Sequence, residues 1–438
     1  MNRNRIFEPV GLVSLGCPKN IVDSERILGK LLENNIYITL NLEEAHSIII
    51  NTCAFLQSAR NESEGVIQEF IEKKKAGIVK KLIVSGCYPS LCGSSLMDRF
   101  PEIDAITGTN DINHIVDALK SDRKAQFLSR DFELVLPSRF LVTLPHYAYL
   151  KIADGCSHRC AFCLIPNIKG NLHSFEREFI IQEAEGLVNN GVKEIIIIAQ
   201  DTTNYGADIY GKSMFIPLLE ELEKIKGIEW IRVLYTYPGE VTEDLVSYIK
   251  NSEKVVPYID MPIQHINNTI LRNMNRIGQR KDIEKIVGLF KRNDIAVRTT
   301  LIVGFPGEGE KEFEELKKFV EETQFDHLGV FKYFREEGTK SYTMENQVEE
   351  SVKERRENTI KSIQDKISLN RNKTFVGRTI PVIIDYYDGK EEMFVGRTKY
   401  DAPEIDNIVL VKGAVTVGEI QDVVVENVKK HALMGRVL

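Results

Sequence analysis

Three cysteines that each follow a predicted β-strand constrain the fold of residues 8–120 more than any other feature. Cys17, Cys53 and Cys87 lie two residues past the strand sequences VGLVSL, SIIIN and KLIVS. Apolar residues at helical spacing separate these strands, which predicts the βαβ alternation of a doubly wound sheet. The carboxyl ends of parallel strands meet at one edge, where open α/β sheets bind ligands. We therefore expect the three thiols to converge.

The convergence predicts an iron–sulfur site. A single cysteine is most often a small buried apolar residue, and one cysteine at a strand end would fit that role. Three at successive strand ends favour shared ligation of one cluster, with one iron left without a protein ligand. Cys92 follows Cys87 by five residues without a strand of its own. We interpret it as structural or incidental.

A second cysteine group lies in the loop DGCSHRCAFCLIPNIKG, residues 154–170, where Cys156, Cys160 and Cys163 have C-x3-C-x2-C spacing. Three thiolates from one loop can bind three irons of a 4Fe-4S cluster and leave the fourth open. Structural zinc is a less favoured alternative, because it needs four closed ligands. His158 lies inside the loop, where its immediate neighbours would make it an awkward fourth ligand.

The motif CSHRCAFC, with the aromatic Phe162 before its last cysteine, resembles the signature of the radical S-adenosylmethionine (SAM) enzymes. The resemblance implies that the open iron binds the amino and carboxylate groups of SAM. It also implies that an electron from the cluster cleaves SAM to a 5′-deoxyadenosyl radical. Cluster potentials in proteins span about −700 to +450 mV, so a sufficiently reducing cluster is attainable.

Residues 146–344 are predicted to form a partial (βα)6 barrel, with its chemistry at the carboxyl ends of the strands. The cysteine loop follows the first of six predicted strands. These strands are Tyr147 to Ile152, Lys193 to Gln200, Glu229 to Tyr235, Val256 to Met261, Ala296 to Val303 and Leu328 to Phe334.

Polar residues at these strand ends predict a SAM and substrate pocket at one rim. Gln200 and Asp201 end the second strand, and Gln264 and His265 lie just past the fourth. Arg298 lies within the fifth strand, which is followed by GFPGE from Gly304 onward. Glycines there would allow a close approach of the backbone to a cofactor. The predicted cofactor-binding residues are Phe162, Gln200, Asp201, Arg298 and Gly304.

The rest of the chain predicts a linker, a helix and a small barrel. Residues 121–145 lose periodicity, residues 345–373 predict a connecting helix, and residues 374–438 predict a five-stranded antiparallel β-barrel of OB-like size. Residues 374–438 contain 8 Lys and Arg against 10 Asp and Glu, whereas a nucleic-acid footprint is normally basic.

Charge and composition exclude several classes of protein. The net charge of −7 over 438 residues argues against a protein that mainly wraps nucleic acid. No apolar run approaches a membrane span, and MNRNRIFEPV lacks the apolar core of a signal peptide. We therefore expect a cytoplasmic protein with no membrane partner, whose seven cysteines are metal ligands before disulfides.

Three landmarks together resemble the methylthiotransferases, and most closely the RimO type: LGCPKNIVDSE (15–25), the radical SAM loop, and VGRTKYDAPEID (395–406). The resemblance covers nearly the whole chain. It implies an N-terminal methylthiotransferase domain, a radical SAM domain and a C-terminal TRAM domain. It implies two 4Fe-4S clusters, whose ligands and catalytic residues are Cys17, Cys53, Cys87, Cys156, Cys160 and Cys163.

The same resemblance implies the reaction and the partners. The implied substrate is the β-carbon of an aspartate in a loop of small-subunit ribosomal protein S-twelve (uS12), free or on the ribosome. One SAM would supply the methyl group of a methylthio unit and a second SAM the radical, with an electron donor such as flavodoxin or ferredoxin.

The chain departs from the family pattern at three places. His173-Ser174-Phe175 replaces an Arg-Ser-Arg, Gly309 replaces a common threonine, and Tyr333-Phe334-Arg335 replaces a more usual Tyr-Ser. These departures leave the cysteine assignments intact and lie in segments that the resemblance places near the pocket.

Three other functions compete with this interpretation. A tRNA adenosine methylthiotransferase of the MiaB type is the nearest, although its tail should contact phosphates. A non-catalytic iron–sulfur carrier would have no need of a barrel with a polar rim. Methyl transfer without radicals would leave the cysteine loop unexplained.

Overall fold

A computed structural model describes residues 6–129 and 138–438. Residues 1–5, at the N-terminus, and residues 130–137 of the predicted linker lie outside the described residues. The chain divides into two compact units. The first comprises Met1–Thr143, Tyr149–Arg159 and Cys163–Glu183, and the second comprises Leu144–Ala148, Cys160–Phe162 and Ala184–Leu438.

The first unit contains a five-stranded parallel sheet in the order β1-β2-β3-β4-β5. Its strands are β1 (Val10–Ser14), β2 (Ser47–Thr52), β3 (Lys81–Gly86), β4 (Ala105–Thr107) and β5 (Ala125–Phe127). Ile38 forms a parallel bridge with Val10, which also pairs with Ser47 of β2. The chain therefore passes along both edges of β1, and this reversal is a topological switch point.

Helices cover both faces of this sheet, which confirms the doubly wound prediction. The helices described around it are α1 (Pro18–Glu33), α2 (Gln57–Lys75), α3 (Cys87–Cys92), α4 (Ser95–Arg99) and α5 (Ile115–Lys120). Alternate residues of the strands point to opposite faces. Ile49 packs in one core with residues of α1 and α5, whereas Ile48 and Ile50 pack in another with residues of α2 and α4.

Strand β5 lies within the stretch that we predicted to be a linker. It is three residues long and pairs in parallel with β4. Its residues are partly or fully exposed, and charged residues precede it. A strand this short has too few side chains to show a periodicity of two, so only its pairing identifies it.

The remaining elements of the first unit surround the cysteine loop. The strands are β6 (Tyr147–Lys151), which begins in the second unit, β7 (Ala153–Asp154) and β8 (His173–Ser174), and the helices are α6 (Ile165–Lys169) and α7 (Arg177–Asn189), which ends in the second unit. Strands β7 and β8 form an antiparallel pair. Leu164 and Ile168, beside and within α6, pack in the same apolar core as Cys87.

A six-stranded sheet in the order β13-β12-β11-β10-β9-β6 confirms the barrel-type prediction. Its further strands are β9 (Glu194–Ile198), β10 (Trp230–Val233), β11 (Val255–Asp260), β12 (Ala296–Val303) and β13 (His327–Lys332). Each agrees with its predicted bounds to within two residues at either end. The associated helices are α8 (Ala207–Tyr210), α9 (Phe215–Leu222), α10 (Glu243–Asn251), α11 (Asn268–Asn273), α12 (Arg280–Arg292) and α13 (Glu310–Thr323).

A long helix, α14 (Glu350–Lys373), leads into a closed five-stranded barrel. The barrel strands are β14 (Thr379–Asp388), β15 (Met393–Thr398), β16 (Ile408–Lys412), β17 (Ile420–Lys429) and β18 (Ala432–Val437). Four pairings are antiparallel, as predicted, but β16 and β18 pair in parallel to close the barrel. Closure leaves no unpaired edge.

Within the described parts of the chain, none of the helices is both long enough and apolar enough to cross a membrane.

Candidate active site

The three N-terminal cysteines lie together at one sheet edge. The ends of β1, β2 and β3 are level in register, because Ser14 pairs with Asn51 and Thr52 pairs with Gly86. Cys17 is the N-cap residue of α1, Cys53 directly follows β2, and Cys87 is the first residue of α3. Strands β1 and β2 flank the switch point, so the thiols occupy the ligand-binding edge expected for this fold.

Two glycines make this close approach possible. Gly16 has a φ of 96°, and a Cβ atom on it would come within 2.8 Å of Cys53 Cβ. Gly86 has a φ of 92°, and its Cβ would come within 2.9 Å of the Thr52 carbonyl oxygen. Side-chain-bearing residues rarely adopt such φ values. The glycine before Cys17 and the one before Cys87 are therefore required by the backbone.

Asn20 connects the three cysteine loops. Its Nδ2 donates to the carbonyl oxygens of Leu15 at 3.0 Å and Thr52 at 2.9 Å. Its Oδ1 accepts a hydrogen bond from Cys87 Sγ at 3.6 Å. Asn20 lies three residues after Cys17, in the first turn of α1, so the helix itself brings this amide between the strands.

The thiols influence one another electrostatically. Burial raises the pKa of Cys53, and Cys17 raises it further, while the backbone amides of Phe55 and Ala54 lower it by donating to the sulfur. Burial also raises the pKa of Cys87, with added effects from Cys17 and Cys53. Metal binding would relieve this cost, because a bound cation stabilises the thiolate.

The donor set is of the kind that iron–sulfur clusters use, because thiolates are their usual protein ligands. None of the seven cysteines, all of which lie among the described residues, is in a disulfide, and the N-terminal three share one edge of the sheet. Among the residues with described positions, no three His, Cys, Asp or Glu side chains are placed to hold one metal ion in common. A cubane is wider than one ion, so its ligands remain farther apart than those of a zinc site.

The two ends of the second cysteine loop lie in the first unit. The Cys156 N–H donates to the Gly170 carbonyl oxygen at 3.1 Å. Cys163 Sγ accepts from the Ile165 N–H at 3.4 Å, at the start of α6. Backbone amides directed at sulfur are characteristic of sites that hold thiolates.

The middle of the loop is fixed within the second unit. The Ala161 N–H donates to the Met274 carbonyl oxygen at 2.9 Å, and the Ser341 N–H donates to the Ala161 carbonyl oxygen at 2.8 Å. Phe162 makes an edge contact with Phe305, with ring centroids 6.4 Å apart. Phe162, predicted to contact cofactor, therefore also anchors the loop to the segment after β12.

A buried cluster of four charges stabilises the first unit around this loop. Lys169 Nζ contacts Asp154 Oδ2 at 2.8 Å and Asp23 Oδ2 at 3.5 Å. Lys151 Nζ contacts Asp154 Oδ2 at 3.1 Å and also forms an ion pair with Asp23. Burial alone would raise the pKa of Asp154, but the two lysines outweigh it and hold that pKa low. Lys169 also acts to lower the pKa of Cys87, so its positive charge interacts with one of the N-terminal thiols.

Three of the predicted rim residues lie at strand ends. Gln200 and Asp201 follow β9, and Asp201 Oδ1 accepts from the Thr203 N–H at 3.0 Å. Gly304 follows β12 with a φ of 74°, and its N–H donates to Glu308 Oε2 at 2.9 Å. Asp201 and Gly304 are therefore rigidly placed at the carboxyl ends of their strands.

Arg298 is placed differently from the other predicted rim residues. It is the third residue of β12, well before the strand's carboxyl end. Its guanidinium lies 3.3 Å from Asp406 of the C-terminal barrel and 3.8 Å from Asp260 at the end of β11. Two carboxylates therefore already compensate its charge, an arrangement that depends on a residue more than a hundred positions away in the sequence.

Three residues near the cysteines were not identified from the sequence. A single amide or lysine after a cysteine motif is common, so residue type alone does not mark Asn20 or Lys169. Arg276 lies 116 residues from Cys160, yet its Nη1 is 3.8 Å from Cys160 Sγ. The three-residue spacing of Asn20 from Cys17 could have identified Asn20 from the sequence, whereas no neighbouring sequence feature marks Arg276.

Comparison with family models assigns three regions. Residues 10–108 match the uncharacterized protein family UPF0004, residues 150–320 match the radical SAM superfamily, and residues 376–438 match the TRAM domain.

Comparison with curated proteins finds near full-length relatives. The chain is 45% identical over 439 residues to the ribosomal protein uS12 methylthiotransferase RimO of Clostridioides difficile, covering 98% of each chain. It is 44% identical over 409 residues to the protein of the same name from Thermoanaerobacter sp., covering 92% of this chain and 93% of the relative.

Among solved structures, the radical SAM methyltransferase TsrM from Kitasatospora setae, with cobalamin and a 4Fe-4S cluster bound, matches with a TM-score of 0.56. The match covers 74% of each chain at 12% identity, so it shows a shared fold.

Proposed function

The chain belongs to the ribosomal protein uS12 methylthiotransferase RimO family, and we propose that it adds a methylthio group to the β-carbon of an aspartate in uS12. It is a radical SAM protein and a transferase, which uses an iron–sulfur cluster and SAM. A single observation carries the proposal of a second cluster. Cys17, Cys53 and Cys87 meet at the ligand-binding edge of the N-terminal sheet.

The six cysteines have separate tasks in this proposal. Cys156, Cys160 and Cys163 would bind one 4Fe-4S cluster, and Cys17, Cys53 and Cys87 would bind the other. When bound, the clusters would supply reductive cleavage of SAM and a site for the transferred sulfur. Asn20 orients the N-terminal thiols, and the packing of Phe162 fixes the loop between Cys160 and Cys163.

The proposed substrate atom explains the need for a radical. An aspartate β C–H bond has no useful acidity, so a general base would not suffice, whereas hydrogen abstraction by a radical would. Delivery of sulfur to the resulting carbon radical then requires a second centre held nearby. Binding both reactants on one protein provides the proximity that free reactants lack.

The cofactor contacts are proposed from residue positions. Phe162, Gln200, Asp201 and Gly304 lie in the loop or after the strands and are assigned to SAM binding. Arg298 is assigned a position in the same pocket that is farther from SAM, because Asp260 and Asp406 already compensate its positive charge. The proposed domains are residues 8–120, 146–344 and 374–438, connected by residues 121–145 and by 345–373.

The proposed partners follow from the substrate. An acidic protein suits a basic ribosomal protein, whose aspartate-bearing loop would be presented either free or on the ribosome. A flavodoxin or ferredoxin is the proposed electron donor. Because ribosomes are its target, the cytoplasm is the proposed location.

The test is anaerobic reconstitution with iron and sulfide, followed by reaction with SAM, reductant and a uS12 loop peptide. Mass spectrometry should find a methylthio adduct on the peptide aspartate. Cys87→Ser should abolish the adduct, whereas Cys92→Ser, at the other end of α3, should retain it. An adduct on tRNA with none on the peptide would replace this function with that of a tRNA methylthiotransferase.

A further inference from the structure

Arg276 places a positive charge beside one cysteine of the radical SAM loop. Its Nη1 donates toward Cys160 Sγ at 3.8 Å. Both residues belong to the second unit, and the loop residue next to Cys160, Ala161, is itself bound to Met274 near Arg276. The contact is therefore made between two anchored segments.

The guanidinium is held in one orientation. Its Nη2 donates to the Pro262 carbonyl oxygen at 2.5 Å, and its central carbon lies 4.1 Å from the centroid of the Tyr237 ring. The Tyr237 hydroxyl accepts from the Ile277 N–H at 3.0 Å, which fixes the ring. Stacking on an aromatic face and a carbonyl contact are typical of a preorganised arginine.

The guanidinium of Arg276 has no carboxylate partner among the described residues. Its polar contacts there are with the Cys160 sulfur and the Pro262 carbonyl oxygen, and it stacks on the Tyr237 ring. Burial raises the pKa of Tyr237 to about 12, so that ring remains neutral and does not compensate the arginine. The positive charge of Arg276 therefore lies beside the Cys160 sulfur.

We propose that Arg276 is a positioning residue that raises the reduction potential of the cluster bound at Cys160. Accepting one electron adds one negative charge to the cluster and forms or breaks no bond. A cation and an N–H donor at the ligand sulfur stabilise that added charge, and hydrogen bonds to sulfur and net charge are known to set cluster potentials. The inference rests on the proposed function, since it requires a cluster in this loop.

The experiment measures the potential directly. Full-length protein with Cys17, Cys53 and Cys87 replaced by alanine would bind the loop cluster alone, and its reduction would be followed by EPR during a redox titration. Arg276→Gln should lower the equilibrium constant for reduction about tenfold, equivalent to about 59 mV for a one-electron couple. Arg276→Lys, which keeps the charge without the planar fork, should recover part of that loss.

A matched control and an iron analysis distinguish an effect of Arg276 on the reduction potential from a purely structural role in holding the loop. Arg272→Gln removes an exposed arginine four residues earlier, in α11, and should leave the potential unchanged. Full iron content with an unshifted potential in Arg276→Gln would overturn the proposal. Iron loss in both Arg276 variants would also overturn it, because Arg276 would then only hold the loop. The potential is measured without substrate, so failure of uS12 modification would not alter this result.

Discussion

At the scale of single residues, Lys169 of the first unit is a buried cation held by two carboxylates. It is buried between Asp154 and Asp23, and burial works against its charge while both carboxylates raise its pKa well above the usual value. Together with Lys151 it balances two negative charges with two positive ones. A buried charge left without its partner is costly.

Lys169→Met should therefore destabilise the protein by about 3–5 kcal/mol, because Asp154 and Asp23 would retain only one cation between them. Chemical denaturation of the cluster-free protein, followed by circular dichroism, would measure the change in the free energy of unfolding. Lys124→Met removes an exposed lysine of the same unit and should stay within about 0.5 kcal/mol of wild type. Equal stability of the two variants would mean that the buried charges do not interact as described.

At the scale of elements, buried ion pairs connect the C-terminal barrel to the six-stranded sheet. Glu194, the first residue of β9, contacts Arg232 of β10 at 2.7 Å and Arg397 of β15 at 2.7 Å. Arg397 also contacts Asp385 of β14 at 2.8 Å, and His146 Nε2 lies 2.8 Å from Asp385. The barrel is therefore connected to the sheet through buried charged groups.

These carboxylates predict an acid-sensitive attachment. Burial would raise the pKa of Glu194, but Arg397 and Arg232 outweigh it and hold that pKa below its ordinary value. A depressed pKa in the folded state means that the stabilisation is complete above the unfolded value and declines as pH falls toward the folded value. Stability should therefore decrease progressively once the pH falls below about 4.5.

Glu194→Gln tests this attachment. The variant should lose about 3–5 kcal/mol at pH 7, because Arg232 loses the carboxylate that it contacts and Arg397 keeps only Asp385. Its stability should then fall less steeply than that of wild type between pH 5 and pH 3, since one titrating carboxylate is gone. Denaturant midpoints across that range provide the measurement, with the exposed Glu391→Gln as control. A steeper acid dependence in Glu194→Gln would contradict the assignment.

At the scale of the whole molecule, the charge distribution favours a protein substrate over a nucleic acid. The net charge is −7, and residues 374–438 are themselves acidic, with 8 basic against 10 acidic residues. A C-terminal barrel that binds RNA would need to neutralise phosphates. Each phosphate contact contributes about −0.7 to −0.9 to the slope of log affinity against log salt concentration.

Binding of tRNA to the whole protein should therefore be weak and should show a shallow salt dependence. A fluorescence anisotropy titration of labelled tRNA between 50 and 200 mM salt would measure it, a range over which six to ten phosphate contacts would change affinity about 10³- to 10⁵-fold. Less than a tenfold change is expected. Tight and steeply salt-dependent binding would favour the tRNA-modifying alternative.

Much of the architecture was predictable because it follows from local patterns. Strand bounds in the six-stranded sheet were predicted to within two residues, since buried strands are short apolar runs between helical segments. Strand β5 and the parallel pairing of β16 with β18 were not predicted. Pairing partners depend on how the chain returns through space, and a three-residue strand has no periodicity to detect.

The sequence by itself determined the family, the fold class and the convergence of Cys17, Cys53 and Cys87, because strand ends in a parallel sheet share one edge. Only the tertiary structure decided that Asp406 compensates Arg298, that Lys169 extends its charge to Cys87, and that Arg276 reaches Cys160. The reason is physical: spacing along the chain specifies periodicity and strand ends, whereas contacts between residues far apart in the sequence arise only when separate elements pack together.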